Sequence, residues 1–242
     1  MGKVIMSGIV PTLKAPSTGI LAQDIAVGSV VKLMEGGTAV EYLVVNQGIP
    51  SNSNLYDASC DGTWLLRKDI HSNRQWDPSY VNKYESSEIN TWLNGDFFNS
   101  LGNVERATVR QVKIPYRAGG GSGGTDQSGA NGLSCKVFLL SCYELGWTTS
   151  NSSMYPVDGA KLDYFIAGSA GKSLRIAHLN GTVNDWWTRS PYASGTSNAW
   201  FIQTDGNSNS SGASNSHGIR PALVLPGNAL FDGKTMLLKG VK

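Results

Sequence analysis

The chain has 242 residues, of which 40% are hydrophobic, and its seven Trp supply enough apolar bulk for a core, which excludes a disordered chain. A net charge of +2, with Lys and Arg scattered along the chain, gives no basic stripe, so nucleic acid is not an expected partner. Gly is abundant at 29 residues and charged residues are few at 16%, a balance that favours turns over long surface helices.

The opening segment, "MGKVIMSGIVPTLKAPSTGILAQDIAVGS", has one early Lys but no uninterrupted apolar run, and Pro11 and Pro16 break it. It does not read as a signal peptide, and no stretch reaches the roughly 20 apolar residues of a membrane span. Synthesis in a cytoplasm with no membrane partner is therefore expected. Residues 1–26 read as an extended arm for assembly or docking, and residues 27–242 as one domain.

"SVVKLMEGGTAVEYLVVNQG" (29–48) is two β-rich runs around Gly36-Gly37, the pattern of a hairpin. "TWLLRKDI" (63–70) is a further strand. In "SSEINTWLNGDFFNSL" (86–101) a Ser N-cap precedes Ile89, Leu93 and Phe97 at i, i+4 and i+8, which predicts an amphipathic helix. "VERATVRQVKI" (104–114) predicts a short helix running into a strand that ends at Pro115. "RAGGGSGGTDQSGANGLS" (117–134) reads as a flexible Gly/Ser loop outside the framework. "CKVFLLS" (135–141) predicts a strand, "CYELGW" a short helical piece, and "AKLDYFIAG" (160–168) a second helix. Three strands close the chain: "WWTRSP", "AWFIQTD" and "IRPALVL". The sum is one α+β domain with two helices, antiparallel sheets and much irregular loop.

Catalytic motifs find little support. "IAGSAGKS" (166–173) ends in G-K-S, but the position where a phosphate-binding loop needs its first Gly is Ile166. His71, His178 and His217 stand apart with no metal-ligand spacing, and Cys60, Cys135 and Cys142 form neither a CxxC pair nor a closed disulfide framework. No metal, no cofactor and no catalytic residue is expected, and the cysteines read as buried free thiols. GxSxG is absent, and no spacing singles out an acid/base pair. An enzyme would have to assemble its site from residues distant in sequence.

The unusual stretch is 186–225. Of the 26 residues from Tyr192 to His217, 19 are Ser, Asn, Gly, Ala or Thr, and they lie between the apolar ends "WWTRSP" and "RPALVL". Such residues make adaptable hydrogen-bonding surfaces when a rigid scaffold holds them. Tyr192, Ser194, Thr196, Asn198, Trp200, Gln203, Asn207, Asn209, Ser211, Ser214, Ser216 and His217 are the expected ligand-facing set. Trp186, Trp187, Arg189, Asp205 and Arg220 are the expected structural support, the two Arg through backbone carbonyls or Asp205. Of Trp200 and Phe201, one should be core and the other exposed, with Trp200 outside.

"WWTRSPY", "AWFIQTDG" and "HGIRPALVL" resemble the C-terminal signature, WWLRSP then AWFVNxDG then GVRPAL, of a C-type-lectin-fold family of gut bacteria and their phages. "YDASCDGTWLLRKDI", "IPYR", "NGLSCKVFLLSCYELGW" and "GAKLDYF" extend the resemblance over roughly residues 27–226. Thr188 stands where that signature has Leu, and Ile202 and Ile219 where it has Val. The resemblance implies a C-type-lectin-like fold of the formylglycine-generating-enzyme-like variant, similar to variable proteins diversified by retroelements. It implies a ligand-binding display protein, a phage or prophage structural component on virions, facing a bacterial surface protein or glycan. It also implies homo-oligomers or contacts with other virion proteins through the arm. The alternatives are a structural virion protein without a ligand and a formylglycine-generating enzyme. The latter would need paired cysteines near the C-terminal core, and residues 143–242 contain none.

Overall fold

The computed structural model describes residues 19–51, 53–147 and 154–242. The expected arm, 1–26, therefore lies largely outside the described residues, as does 148–153. Residues 19–25 belong to the folded body. Gly19–Leu21 pairs with Ala229–Asp232, Ala22 and Ile25 are buried, and the Gln47 side chain donates to the carbonyls of both.

The centre is a five-stranded antiparallel sheet in the order Val137–Phe138, Ala222–Leu225, Thr63–Arg67, Thr38–Gln47, Val30–Glu35. Side chains alternate across a strand, and here both faces are covered. Leu65, Leu223 and Leu225 enter one core, while Trp64, Leu66, Ala222 and Val224 enter another on the opposite face. That explains why "TWLL" and "ALVL" are continuous apolar runs instead of alternating ones. The hairpin at Gly36-Gly37 forms as expected. Both glycines have positive φ (52° and 83°), the turn whose twist matches the flanking strands.

A second five-stranded sheet carries the unusual stretch, in the order Ser208–Gly212, Asn198–Ile202, Trp186–Pro191, Ser216–Gly218, Asn73–Gln75. Its pairs are antiparallel except that Trp186–Pro191 meets Ser216–Gly218 in parallel at Trp186 and Gly218. A third sheet joins Gly19–Leu21, Ala229–Asp232 and Leu238–Val241.

The expected helix at 86–101 is present, with Ser87 as its cap accepting from the Asn90 amide. It is α from Glu88 to Trp92, widens to a π turn over Leu93–Phe97 and ends at Ser100. An α-helix turns about 100° per residue, so apolar residues four apart drift around its axis. The wider π turn offsets that drift and keeps Ile89, Leu93 and Phe97 all buried. A short helix, Asn103–Thr108, then leads into the strand Val112–Ile114, as its sequence predicts.

Several expectations are corrected. The α+β, C-type-lectin-like fold with two helices does not describe this molecule, which is mostly open β-sheet: strand makes up 37% and short helical turns 19%. The second helix at 160–168 is absent, and that segment is irregular before a 3-10 turn at Gly168–Gly171. Its backbone amides have other partners: Ala160 donates to the Tyr56 hydroxyl, Leu162 to the Glu144 carbonyl, Asp163 to Asn46 Oδ1, and Tyr164, which a helix would pair with the Ala160 carbonyl, to the Val45 carbonyl. "CYELGW" forms turns, and "CKVFLLS" is split into Leu133–Cys135 and Val137–Phe138. The Asn94 side chain sits at that break, accepting from the amides of Lys136 and Val137. The Gly/Ser stretch is framework after all. Tyr116–Ala118 pairs with Thr125–Gln127, and Gly121 between them packs onto the carbonyls of Tyr192 and Gly195.

Candidate functional site

The site is built outward from "WWTRSP". Every residue of Trp186–Pro191 is buried. Trp186 Nε1 donates to the Arg175 carbonyl and Trp187 Nε1 to that of Arg74, while the Thr188 hydroxyl donates to the Trp200 carbonyl. Arg189 is a hub with all its donors used. Nε reaches the Pro115 carbonyl at 3.1 Å, Nη1 the Leu139 carbonyl and Nη2 the Asp158 carbonyl, and both terminal nitrogens bind Glu144, at 2.5 and 2.7 Å. Glu144 in turn accepts from the Tyr56 hydroxyl and the Ser141 amide. An ion pair this deep persists only because both partners are saturated with hydrogen bonds. Arg220 donates to the carbonyls of Arg67 and Lys68 and lies over the Trp186 ring at 4.7 Å, and burial pulls its guanidinium down to about 10.

Neither Arg uses Asp205. That exposed carboxylate accepts from the backbone and side-chain amides of its neighbour Asn207, which hold it below the usual carboxylate range.

Trp200 is a correction. It and Phe201 point to opposite faces of one strand, and both faces are covered, so both are buried. Phe201 meets Trp187 and the first core. Trp200 stacks on Tyr155 at 4.2 Å, touches Tyr192 and donates its indole N–H to the Met154 carbonyl.

The other expected residues divide by place. Tyr192, Ser194, Thr196 and Asn198 lie on or beside one loop at one end of the sheet. The Ser197 carbonyl joins that loop to the turn bearing Ser214 through the Ala213 amide. Gln203 and Asn207 close a tight turn at the opposite end, on the order of 15 Å away along five strand residues. Ser194, Thr196, Asn209 and Ser216 are exposed; Tyr192, Asn198, Gln203, Asn207, Ser211, Ser214 and His217 are partly buried.

Three groups from separate elements meet beside Phe201. The His217 ring stacks on Phe201 at 4.2 Å and meets the edge of Trp187 at 4.4 Å. Its Nε2 is 3.0 Å from Ser211 Oγ, and its Nδ1 is 3.0 Å from Asp185 Oδ1. The Asp185 oxygen lies off the N–H direction, so Nδ1 makes no aligned hydrogen bond. Asn215 Nδ2 donates to the same Ser211 Oγ at 2.9 Å.

Sequence reasoning missed Asp185, Asn82, Glu144 and Asp158. Asn82 holds the loop at 192–198: its Nδ2 donates to the carbonyls of Gly195 and Asn198 while its Oδ1 accepts from the Gly121 amide. Nothing in "YVNKY" marks it. Asp185 directly precedes Trp186-Trp187, and that adjacency was the one available signal. Among the described residues no group of three or more His, Cys, Asp or Glu is arranged to hold a metal ion. No helix among them is long and apolar enough to cross a membrane. All three cysteines are free and buried, and burial pushes the Cys60 thiol up to about 12.

A family model described as a domain of unknown function, DUF6273, matches residues 61–227. The chain belongs to that family. The DUF6273 region contains the whole second sheet, the Arg189 hub and the Ser211–His217–Asp185 group, and leaves out the hairpin of Val30–Glu35 and Thr38–Gln47 and the C-terminal strands. No curated protein and no solved structure matches the chain.

Proposed function

We propose that the chain is a ligand-binding display module, carried in multiple copies on a phage or prophage particle and facing a protein or glycan of a bacterial surface. One observation carries the reading. A strand edge and loops made almost wholly of Ser, Asn, Gly and Thr belong to a sheet whose central strand, Trp186–Pro191, has every side chain buried and its Trp and Arg polar groups hydrogen-bonded. Side chains on such an edge can change with little effect on the core, which suits a surface selected for what it binds. The sequence resemblance to proteins of gut bacteria and their phages supports the setting, and the similar retroelement-diversified proteins suggest how the face could vary.

Trp200 is buried, which leaves only the partly buried Tyr192 and the exposed Tyr80, whose ring lies against Gly212, as aromatics available at this face. Single-copy affinity is therefore weak, and avidity supplies the rest. Beads coated with the protein, presented to bacterial cells and arrayed glycans, should bind a subset of targets far better than the soluble chain does. A variant carrying Tyr192→Ala, Thr196→Ala and Asn209→Ala should lose at least about tenfold of that binding, or 1.4 kcal/mol, while melting within about 4 °C of the parent. Equal binding by parent and variant, or no bound target at all, removes the reading.

A further inference from the structure

We propose that Ser211, His217 and Asp185 form a nucleophile–base–carboxylate relay that cleaves small acyl esters at the edge of the second sheet. The inference does not depend on the display reading, since it concerns covalent chemistry at one hydroxyl.

No local motif unites these residues. Asp185 lies just ahead of the strand Trp186–Pro191, Ser211 is on Ser208–Gly212 and His217 on Ser216–Gly218. The turn at 213–215 brings the last two strands round so that His217 lies on Phe201, with Nε2 3.0 Å from Ser211 Oγ and Nδ1 3.0 Å from Asp185 Oδ1 but out of line with it. The aromatic walls fix the ring plane.

The hydrogen-bond polarity is the one a nucleophile needs. Asn215 Nδ2 donates to Ser211 Oγ, which leaves the serine proton to be given to His217 Nε2. A carboxylate at Nδ1 favours the tautomer protonated there, so Nε2 is the acceptor. The Asp185 side chain is 30% exposed, which leaves it free to swing into line with Nδ1–H, and such contacts commonly tighten only when substrate is bound.

The step balances without a cofactor. Ser211 Oγ bonds to the ester carbonyl carbon as its proton passes to His217 Nε2. The C–O bond to the alcohol breaks, and the alcohol leaves with that proton. Water then adds to the acyl carbon, giving a proton to His217, and the carboxylic acid departs as Ser211 regains its hydrogen. Ser211 and His217 are the catalytic residues, and Asp185 is a positioning residue acting through His217.

The test uses the full chain with a fluorophosphonate probe, read by intact mass and peptide mapping, together with p-nitrophenyl acetate turnover. One phosphonate should attach at Ser211. Ser211→Ala removes only a hydroxyl from a partly buried strand-edge residue, so it should keep the parent melting curve and lose all labelling and turnover. His217→Gln should slow labelling about 100-fold. Asp185→Asn should lower the maximal labelling rate about tenfold with probe affinity unchanged, and Asp185→Glu should recover part of it, which a merely structural role would not produce. Labelling at another residue, or turnover equal in the parent and Ser211→Ala, overturns the proposal even if His217→Gln fails to fold. Surface binding lost in the display variant with Ser211 labelling intact, or the reverse, separates this proposal from the display reading.

Discussion

Asp158 is a buried carboxylate with half its hydrogen-bonding capacity unused. Oδ2 accepts from the Ser190 hydroxyl at 2.7 Å, while Oδ1 is buried with no partner. Burial pushes its carboxyl up to about 7, and the neighbouring Arg189 and the Ser190 hydrogen bond only partly oppose this. The sign follows from proton uptake. Between about pH 4 and pH 7 the unfolded chain has released this proton while the folded chain still holds it, so the contribution to stability falls as pH rises and levels off above 7. At 1.36 kcal/mol per pH unit the loss is on the order of 4 kcal/mol. In Asp158→Asn that dependence disappears, because the amide does not ionise and its oxygen still accepts from Ser190. Urea midpoints at pH 4.5, 6 and 8 should therefore show the variant gaining on the parent as pH rises, and a constant difference would show that Asp158 is ionised throughout. Arg189 gives the opposite case. Arg189→Met removes five hydrogen bonds and leaves Glu144 buried without its cation, an expected loss of about 3–5 kcal/mol, read as a fall in the urea midpoint.

The strands that follow "WWTRSP" divide sharply in what they tolerate. Asn209 and Ser216 are exposed on the small-residue strands, so Asn209→Tyr with Ser216→Tyr should change stability by no more than about 1 kcal/mol. Leu223 is fully buried between Leu65 and Val137, and Leu223→Ala should cost about 2–5 kcal/mol as a cavity. Equal losses in a chemical melt would mean that the strand edge is core. The same contrast shows what could be read from the sequence. Gly36-Gly37 between alternating runs, Ser87 ahead of Ile89, and the apolar blocks around Trp186 and Leu223 encode their structures locally, and these elements are where the sequence places them. The helix expected at 160–168 was not legible because Val45, outside that segment, takes the Tyr164 amide that a helix would pair with Ala160. The exposure expected for Trp200 failed similarly: an alternating strand reveals two faces but not that Tyr155, 45 positions earlier, covers the second one. Of the candidate site, Ser211 and His217 stood in a conspicuous stretch. Their pairing with Asp185 depends on how the sheet curls, which no local pattern records.

Residues 19–25, which the sequence assigns to the arm, belong to the folded body, and this sharpens the test of assembly. Gly19–Leu21 is an edge strand held by Ala229–Asp232, and Ile25 contributes to the first core. Removing residues 1–26 therefore exposes an edge, strands the Gln47 amide without its two acceptors and deletes a buried Ile, for an expected cost of about 2–5 kcal/mol. Removing residues 1–18 touches none of these. That shorter deletion should melt like the full chain, so a change in its behaviour reports on the arm itself. Residues 1–18 carry Val4, Ile5, Ile9, Val10 and Leu13 around Pro11, apolar side chains in a segment that Pro11 bars from forming one continuous helix. Contact with another subunit or with a particle component would remove that surface from water. Under the proposed multi-copy display, light scattering should give the full chain a several-fold larger mass per particle than the chain lacking 1–18. Beads carrying either form should bind targets alike, because the bead replaces the assembly. In solution only the full chain should bind a multivalent surface tightly. Equal mass for the two forms would mean that the arm does not assemble this chain, and avidity would then have to come from a particle that carries it.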